Sequence, residues 1–265
     1  MYATSYHRAA SVEDAVQMRN AHEEGRYLSG GMTLIATMKQ RLAAPTDLID
    51  LRHIPTLRGI RIEGRRVTIG AATPHAEVAG HAELRALCPA ICQLAGHIGD
   101  PHVRHMGTIG GSIANNDPAA DYPAGMLGLG ATIVTDRRSM SADEFFTGLF
   151  ETALEEGEMV TAVSFDAPEK AGYAKFSNPA SRYAMTGVFV AKTATGIRVA
   201  VTGAGSNGVF RQGDMEAALA GNWSPQSIAH INVDASELMS DMHGSAEYRA
   251  NLVKVMAKRA LASAG

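Results

Sequence analysis

The sequence predicts an α+β protein with a β-α-β unit at its N-terminus, a hairpin and helices in its middle, and a late antiparallel sheet. Three observations predict this. Tyr27-Leu28-Ser29 runs into Gly30-Gly31 and a helical pattern before the apolar Leu48-Ile49-Asp50-Leu51. Strand-rich runs flank Glu63-Gly64 and Thr195-Gly196, the punctuation of hairpins. Sustained helical periodicity appears only late, over Ala246–Ala262, which groups helices after strands.

Each element follows in order. Ser11 is positioned to cap a helix whose inner face is Val12, Ala15, Val16 and Met18, ending near Gly25. Thr33 is expected to cap a second helix from Leu34 to Leu42, broken by Pro45. Gly59-Ile60-Arg61-Ile62 and Val67-Thr68-Ile69-Gly70 form the hairpin. Thr73-Pro74 opens a helical region through Leu87, and Pro89 starts another through Ile98. His97 to His105 reads as a loop leading into Gly107-Thr108-Ile109-Gly110-Gly111-Ser112. Tyr122-Pro123-Ala124 begins a small-residue helix, and strands are expected at Ala131–Thr135 and Met159–Phe165. The segment Pro168 to Gly172 is the expected domain boundary. Strands at Tyr173–Phe176, Gly187–Ala191 and Ile197–Thr202 precede helices near Met215–Ala220 and Ala246–Ala262.

Composition bounds the function. The 265 residues are 46% hydrophobic and 19% charged, with a net charge of −3 and both signs interspersed, so there is no basic footprint for nucleic acid. No apolar run approaches the ~18 residues of a membrane span, and no signal-peptide core opens the chain, so a cytoplasmic protein is expected. Cys88 and Cys92, four apart on a helix, suit neither a disulfide framework nor a four-ligand cluster; they read as small core residues. Any iron–sulfur chemistry would therefore sit in another polypeptide.

Two glycine segments carry the chemical interest: Ser29-Gly30-Gly31-Met32-Thr33 and Thr108-Ile109-Gly110-Gly111-Ser112. Glycines in such density let backbone amides approach a ligand closely, and two converging nests of amides suit the two phosphates of a dinucleotide. Asp121 would then accept from a ribityl or ribose hydroxyl. Two ordinary tight turns are the alternative, and the local pattern leaves both open. Neither segment matches the Rossmann or P-loop pattern. His97, His102 and His105 with Asp100 match no established metal-ligand spacing and read as polar loop residues. Glu155-Glu156-Gly157-Glu158 reads as a solvated turn, and Arg182-Tyr183 as surface residues within reach of a cofactor or partner. No nucleophile and base share a recognisable local signature.

Leu28-Ser29-Gly30-Gly31-Met32-Thr33-Leu34, with Met38–Leu42 and Leu48–Leu51, resembles the first FAD-binding segment of the molybdenum hydroxylase flavoproteins. Thr108–Ala114 followed by Asp117-Pro118-Ala119-Ala120-Asp121 is similar to their second. Lys175–Tyr183 and Ala246-Glu247-Tyr248-Arg249 resemble their C-terminal domain, so the likeness runs through nearly the whole chain in order. The group it resembles is the medium, FAD-binding subunit of carbon monoxide dehydrogenase-like enzymes, related to the flavin domain of xanthine dehydrogenase.

The resemblance implies an FAD-binding fold of the vanillyl-alcohol-oxidase type. Residues 1–170 would form the FAD-binding domain, with subdomains of about 1–56 and 57–170, and residues 171–265 the C-terminal domain. Tyr27, Leu28, Ser29, Gly30, Gly31, Met32, Thr33 and Leu34, with Thr108, Ile109, Gly110, Gly111 and Ser112, would hold the pyrophosphate through backbone amides. Asp121 would contact the sugar-like chain, Ile98 would shield the isoalloxazine, and Val160 and Lys175 would lie near strands lining the ring. Met32 departs from the family's usual His, Gln or Thr, and Thr33 from its usual Ser. No cysteine-rich insertion of the kind that adds a further cluster is present.

The implied partners are a large molybdenum-cofactor subunit and a small subunit with [2Fe–2S] clusters, assembled as a dimer of heterotrimers and able to reach the inner face of the membrane through those partners. The implied role is electron transfer through FAD to a quinone, NAD or O2. A stand-alone flavin oxidoreductase and a non-redox assembly scaffold are the alternative readings.

Overall fold

The computed structural model describes residues 1–265. The N-terminal unit is β1 (Ser5–Arg8), α1 (Val12–Ala21), β2 (Arg26–Leu28), α2 (Leu34–Lys39) and β3 (Asp47–Asp50). Its strands form one parallel sheet in the order β1-β3-β2. Central β3 is buried along its whole length, and strand alternation sends Ile49 to one core with Ala15 and Ile54, and Leu48 to another with Leu28 and Met38. Ser11 caps α1 as expected, accepting from the Asp14 amide while the Asp14 carboxylate accepts from the Ala10 amide.

The second helix departs from its sequence reading. Thr33 already has helical dihedrals and caps nothing through its side chain. The turn opens earlier, at Gly31, whose φ of +71° folds the chain back and whose carbonyl accepts from the Ile35 amide. The helix stops at Lys39 instead of Leu42, because Arg41 turns left-handed with φ 62°.

The middle section contains β4 (Ile60–Glu63), β5 (Arg66–Gly70), α3 (His75–Gly80), α4 (Ala82–Leu87), α5 (Pro89–Gly96), α6 (Pro101–Met106), α7 (Ile109–Asn115) and α8 (Asp121–Leu129). It continues through β6 (Thr132–Thr135), β7 (Ser139–Ser141), α9 (Ala142–Phe145), the short ribbon β8 (Phe146–Gly148) and β9 (Glu151–Thr152), and β10 (Val160–Asp166). Five of these strands make an antiparallel sheet, β4-β5-β10-β6-β7.

Two segments read as loops are helices. Within His97 to His105, the Asp100 carboxylate accepts from the Val103 amide and Pro101 occupies the first helical position, so α6 forms. In Gly107 to Ser112, Thr108 caps α7 by accepting from the Gly111 amide, and Gly110 and Gly111 lie in its first turn with no positive φ. The reading of this segment as a glycine loop is thus corrected to a helix start.

The C-terminal section is β11 (Lys170–Ser177), β12 (Ala184–Thr193), β13 (Gly196–Thr202), β14 (Phe210–Arg211), α10 (Gly213–Gly221) and α11 (Ala246–Ala262), its strands antiparallel in sequence order. Strand β12 is buried on both faces. Phe189 and Ala191 join the main core with Tyr122, Met126 and Leu127 of α8, whereas Val188 and Val190 face Met256 and Ala260 of α11. This explains the composition of α8, a helix buried on all sides because the C-terminal sheet lies against it on one side and helices α5, α7 and α9 pack around the rest. No helix is long and apolar enough to cross a membrane.

Candidate functional site

A cavity of about 600 Å³ opens between the N-terminal unit and the middle section, within the range of small-molecule and cofactor sites. Its wall brings together two segments that are 79 residues apart. The Ser29 and Thr108 hydroxyls share a hydrogen bond at 3.0 Å. Gly30 lies directly on the backbone of Met106 and Gly107: a Cβ there would sit 2.1 Å from the Met106 carbonyl oxygen and 2.7 Å from the Gly107 Cα. Only glycine permits this approach, since the obstructing atoms are backbone. Gly30→Ala is expected to cost about 1–3 kcal/mol by forced overpacking and to weaken cofactor retention together with stability. Thermal unfolding of the variant, with and without added FAD, checks both effects.

The two segments contribute differently. The amides of Gly30, Gly31, Met32, Thr33 and Leu34 donate to no group of the chain, so a run of free donors faces the cavity wall where β2 turns into α2. In the second segment most amides are already used: Ile109 donates to the Thr73 carbonyl, Gly110 to the Ala71 carbonyl and Ser112 to the Thr108 carbonyl. What that segment offers is the Thr108 hydroxyl, Ser112 and the open Cα surface of Gly111, whose missing Cβ would meet only Thr108 Oγ1, at 3.0 Å. The expected symmetry of two amide nests is corrected to one amide nest facing a hydroxyl-bearing helix start.

Of the residues expected at the site, Tyr27, Leu28, Ser29, Gly30, Gly31, Met32, Thr33, Leu34, Ile98, Thr108, Gly110, Gly111, Ser112, Asp121 and Val160 line the cavity. Two do not. Ile109 is wholly buried in the main core, with its amide committed to Thr73. Lys175 is held away from the cavity by Asp121, its Nζ 2.9 Å from Oδ1, with a side chain only 3% exposed. Asp121 itself, the first residue of α8, also accepts from the Tyr173 hydroxyl. Burial pushes the Asp121 carboxyl up, while Lys175 and Tyr173 pull the other way. The expected contact with a sugar-like chain is thus left only those lone pairs that these two donors do not use.

The sequence reading missed several lining residues. His75 lines the cavity with its Nδ1 unpartnered, and the neighbouring Tyr122 hydroxyl is also without a partner. Burial, helped by Arg104, pushes the imidazole down to about 4, so it is neutral at physiological pH. His75 enters the site because its amide donates to the Gly107 carbonyl, a pairing that no local motif encodes. Arg182, left-handed at φ 63°, and Tyr183 also line the mouth.

The run Glu155 to Glu158, read as a solvated turn, conceals another lining residue. The Glu158 carboxylate is inaccessible and accepts from Arg138, from the Thr135 hydroxyl and from the Glu155 amide. Burial opposes ionisation, but these donors outweigh it and hold the carboxyl at about 2. The same turn receives the Tyr27 hydroxyl on the Gly157 carbonyl, at 3.0 Å. Because the folded pKa lies below the usual 4.5, this network stabilises the fold fully above that value and is lost as pH falls through about 2. Acid titration of stability should therefore show a decline between about pH 5 and 2 that Glu158→Gln flattens.

The carboxylates around the cavity are engaged to different degrees. Asp121 and Glu158 are engaged as described, and Asp117 accepts from the Ala119 amide. Converging backbone donors, hydroxyls and apolar walls suit an anionic cofactor, in the class of flavin-binding folds.

Comparison with known proteins is specific. Residues 2–168 match the family described as FAD binding domain in molybdopterin dehydrogenase, and residues 173–264 match the CO dehydrogenase flavoprotein C-terminal domain. The chain belongs to this family of FAD-binding medium subunits of molybdenum hydroxylases, which are oxidoreductases. It is 37% identical to the carbon monoxide dehydrogenase medium chain of Afipia carboxidovorans, over 97% of this chain and 94% of that one. It is 31% identical to the nicotine 6-hydroxylase medium subunit of Paenarthrobacter nicotinovorans, over 99% and 98% of the two chains. The solved carbon monoxide dehydrogenase from Hydrogenophaga pseudoflava superimposes with a TM-score of 0.88 at 34% identity, covering 99% of this chain and 97% of that one.

Proposed function

We propose that this chain is the electron-transfer subunit of a three-part molybdenum hydroxylase. A large partner carries the molybdenum cofactor, and a small partner carries [2Fe–2S] clusters. The family's multi-subunit dehydrogenases, including the carbon monoxide dehydrogenase medium chains, support this reading. The complex is proposed as a dimer of heterotrimers in the cytoplasm. Residues 1–170 act as the FAD-binding domain, and residues 171–265 as the C-terminal domain behind it.

The observation that carries the reading is the run of unpaired amides from Gly30 to Leu34, opposite Thr108 and Gly111 across the cavity. Such donors suit a pyrophosphate, since hydrogen bonds to anionic oxygens are stronger than neutral ones. The buried His75 Nδ1 and the cradle at Gly111 fit a bound group of this kind. FAD would supply the redox chemistry, taking electrons from the clusters and passing them to a quinone, NAD or O2.

The chain's own residues position and insulate. Gly30 to Leu34, Thr108 and Ser112 would hold the phosphates, and Asp121 would accept from a hydroxyl of the sugar-like chain. Ile98 and Val160 would shield the ring from water. Tyr27, whose hydroxyl burial pushes up to about 12, stays a neutral donor that fixes the wall to Gly157. On this reading the chain takes its reducing equivalents from a partner. The test is anaerobic reduction of the FAD-loaded chain. Bleaching of the flavin only in the presence of the iron–sulfur and molybdenum partners with their substrate is expected; reduction by a small organic substrate alone would overturn the proposal.

A further inference from the structure

The three donors of a compact site lie outside the cavity, on the edge of the N-terminal unit. His7 Nε2 is 2.7 Å from Asp47 Oδ1, and His22 Nδ1 is 3.3 Å from Asp47 Oδ2. The two imidazoles stack with centroids 4.7 Å apart, and the three donor atoms all fall within 4.8 Å of one another. None of these residues lines the cavity, and none has a role in holding a flavin.

The placement is fixed by the fold rather than by flexible loops. His7 is in β1 and Asp47 opens β3, two strands paired in parallel with Ser5 opposite Asp47. His22 is the residue that ends α1, anchored by its carbonyl, which accepts from the Gly25 amide and from Arg19. The backbone thus delivers one donor from each of three elements to a single point.

We propose that His7, His22 and Asp47 form a binding site for a divalent transition-metal ion of the Zn2+ class, clipping β1 to the end of α1 and to β3. Metal–ligand bonds of about 2.0–2.2 Å set tetrahedral ligand atoms about 3.3 Å apart; the His22–Asp47 separation of 3.3 Å matches this, and the His7–Asp47 hydrogen bond of 2.7 Å would open by about 0.6 Å as its proton leaves. Two imidazole nitrogens and one carboxylate oxygen suit Zn2+, Ni2+ or Cu2+, whereas Mg2+ and Ca2+ prefer all-oxygen sets. The His7 and His22 side chains are 28% and 35% exposed, and that of Asp47 10%, so the site opens to solvent.

The test uses the full, FAD-loaded chain without a polyhistidine tag, stripped with chelator and titrated with Zn2+ in a calorimeter, with Mg2+ as control. About one equivalent of Zn2+ is expected to bind and to raise the melting temperature, as any ligand selective for the folded state does, while Mg2+ does neither. His22→Gln, at a partly exposed position, and His7→Gln should each weaken Zn2+ binding by more than about 100-fold, beyond the loss that outer-shell changes produce. Flavin absorbance should be unchanged in both, which shows that they fold. A wild-type chain that takes up no Zn2+, or a His22→Gln chain that binds it undiminished, overturns the proposal.

Discussion

Gly111→Val is expected to strip the chain of FAD while leaving it folded. Gly111 lies in the first turn of α7, exposed to the cavity, and an added Cβ meets nothing within 4 Å except Thr108 Oγ1. The backbone needs no glycine-only conformation there, and valine in a helix is slightly better than glycine by intrinsic propensity. Crowding of the Thr108 cap limits that gain, at a cost of about 1 kcal/mol at most. Stability should therefore stay within about 1 kcal/mol of the native chain, while two branched methyl groups stand in the space opposite the Gly30–Leu34 amides. Flavin content after purification, read alongside the thermal melt, checks both halves. Gly30→Ala makes the contrast, because there the obstructing atoms are backbone and stability must suffer as well.

Lys175→Met should be the most damaging single change to stability. The side chains of Lys175 and Asp121 are almost inaccessible, 3% and 4% exposed, and removal of the lysine leaves the carboxylate with only the Tyr173 hydroxyl as partner. Breaking a buried pair on one side costs about 3–5 kcal/mol. The lower end applies here, because burial already favours protonation of Asp121 and Tyr173 remains as a partner. Without Lys175 the folded pKa of Asp121 lies above its unfolded value. The penalty is therefore full at neutral pH and fades as pH falls towards about 4, where both states are protonated. Denaturant unfolding at two pH values checks this, and the double change Asp121→Asn with Lys175→Met should recover much of the loss because no uncompensated charge remains.

Much of the architecture was legible because local chemistry encodes it. The Ser11 cap, the hairpin about Glu63-Gly64 and the buried strand at Leu48–Leu51 each rest on residues within a few positions of one another. The glycine segments were legible as a site but misread in form. Three glycines in five residues suggest a flexible loop, yet Thr108 caps them into a helix whose first amides pair with Ala71 and Thr73, partners from a distant turn. Asp100 and Pro101 hid α6 in the same way, since a cap and a first-turn proline also look like loop punctuation.

What the sequence concealed was long-range pairing. Lys175, expected near strands lining the flavin ring, pairs with Asp121, 54 residues away in the chain. Glu158 was expected in solvent, and Arg138 draws it inside. His7, His22 and Asp47 carry no spacing signature at all; the parallel pairing of β1 with β3 and the position of the α1 C-terminus bring them together.

Central to the proposed function are the free amides of Gly30 to Leu34 as a seat for a pyrophosphate. The most direct measurement compares binding of FAD with binding of riboflavin, which has the ring but no phosphate, to the flavin-stripped chain. With hydrogen bonds to charged groups each contributing about 1.5–3 kcal/mol, FAD should bind at least about 100-fold more tightly, a difference of ~2.7 kcal/mol. Equal affinity for the two would contradict the account, because it would place the binding energy at the ring and leave the amide nest without a function.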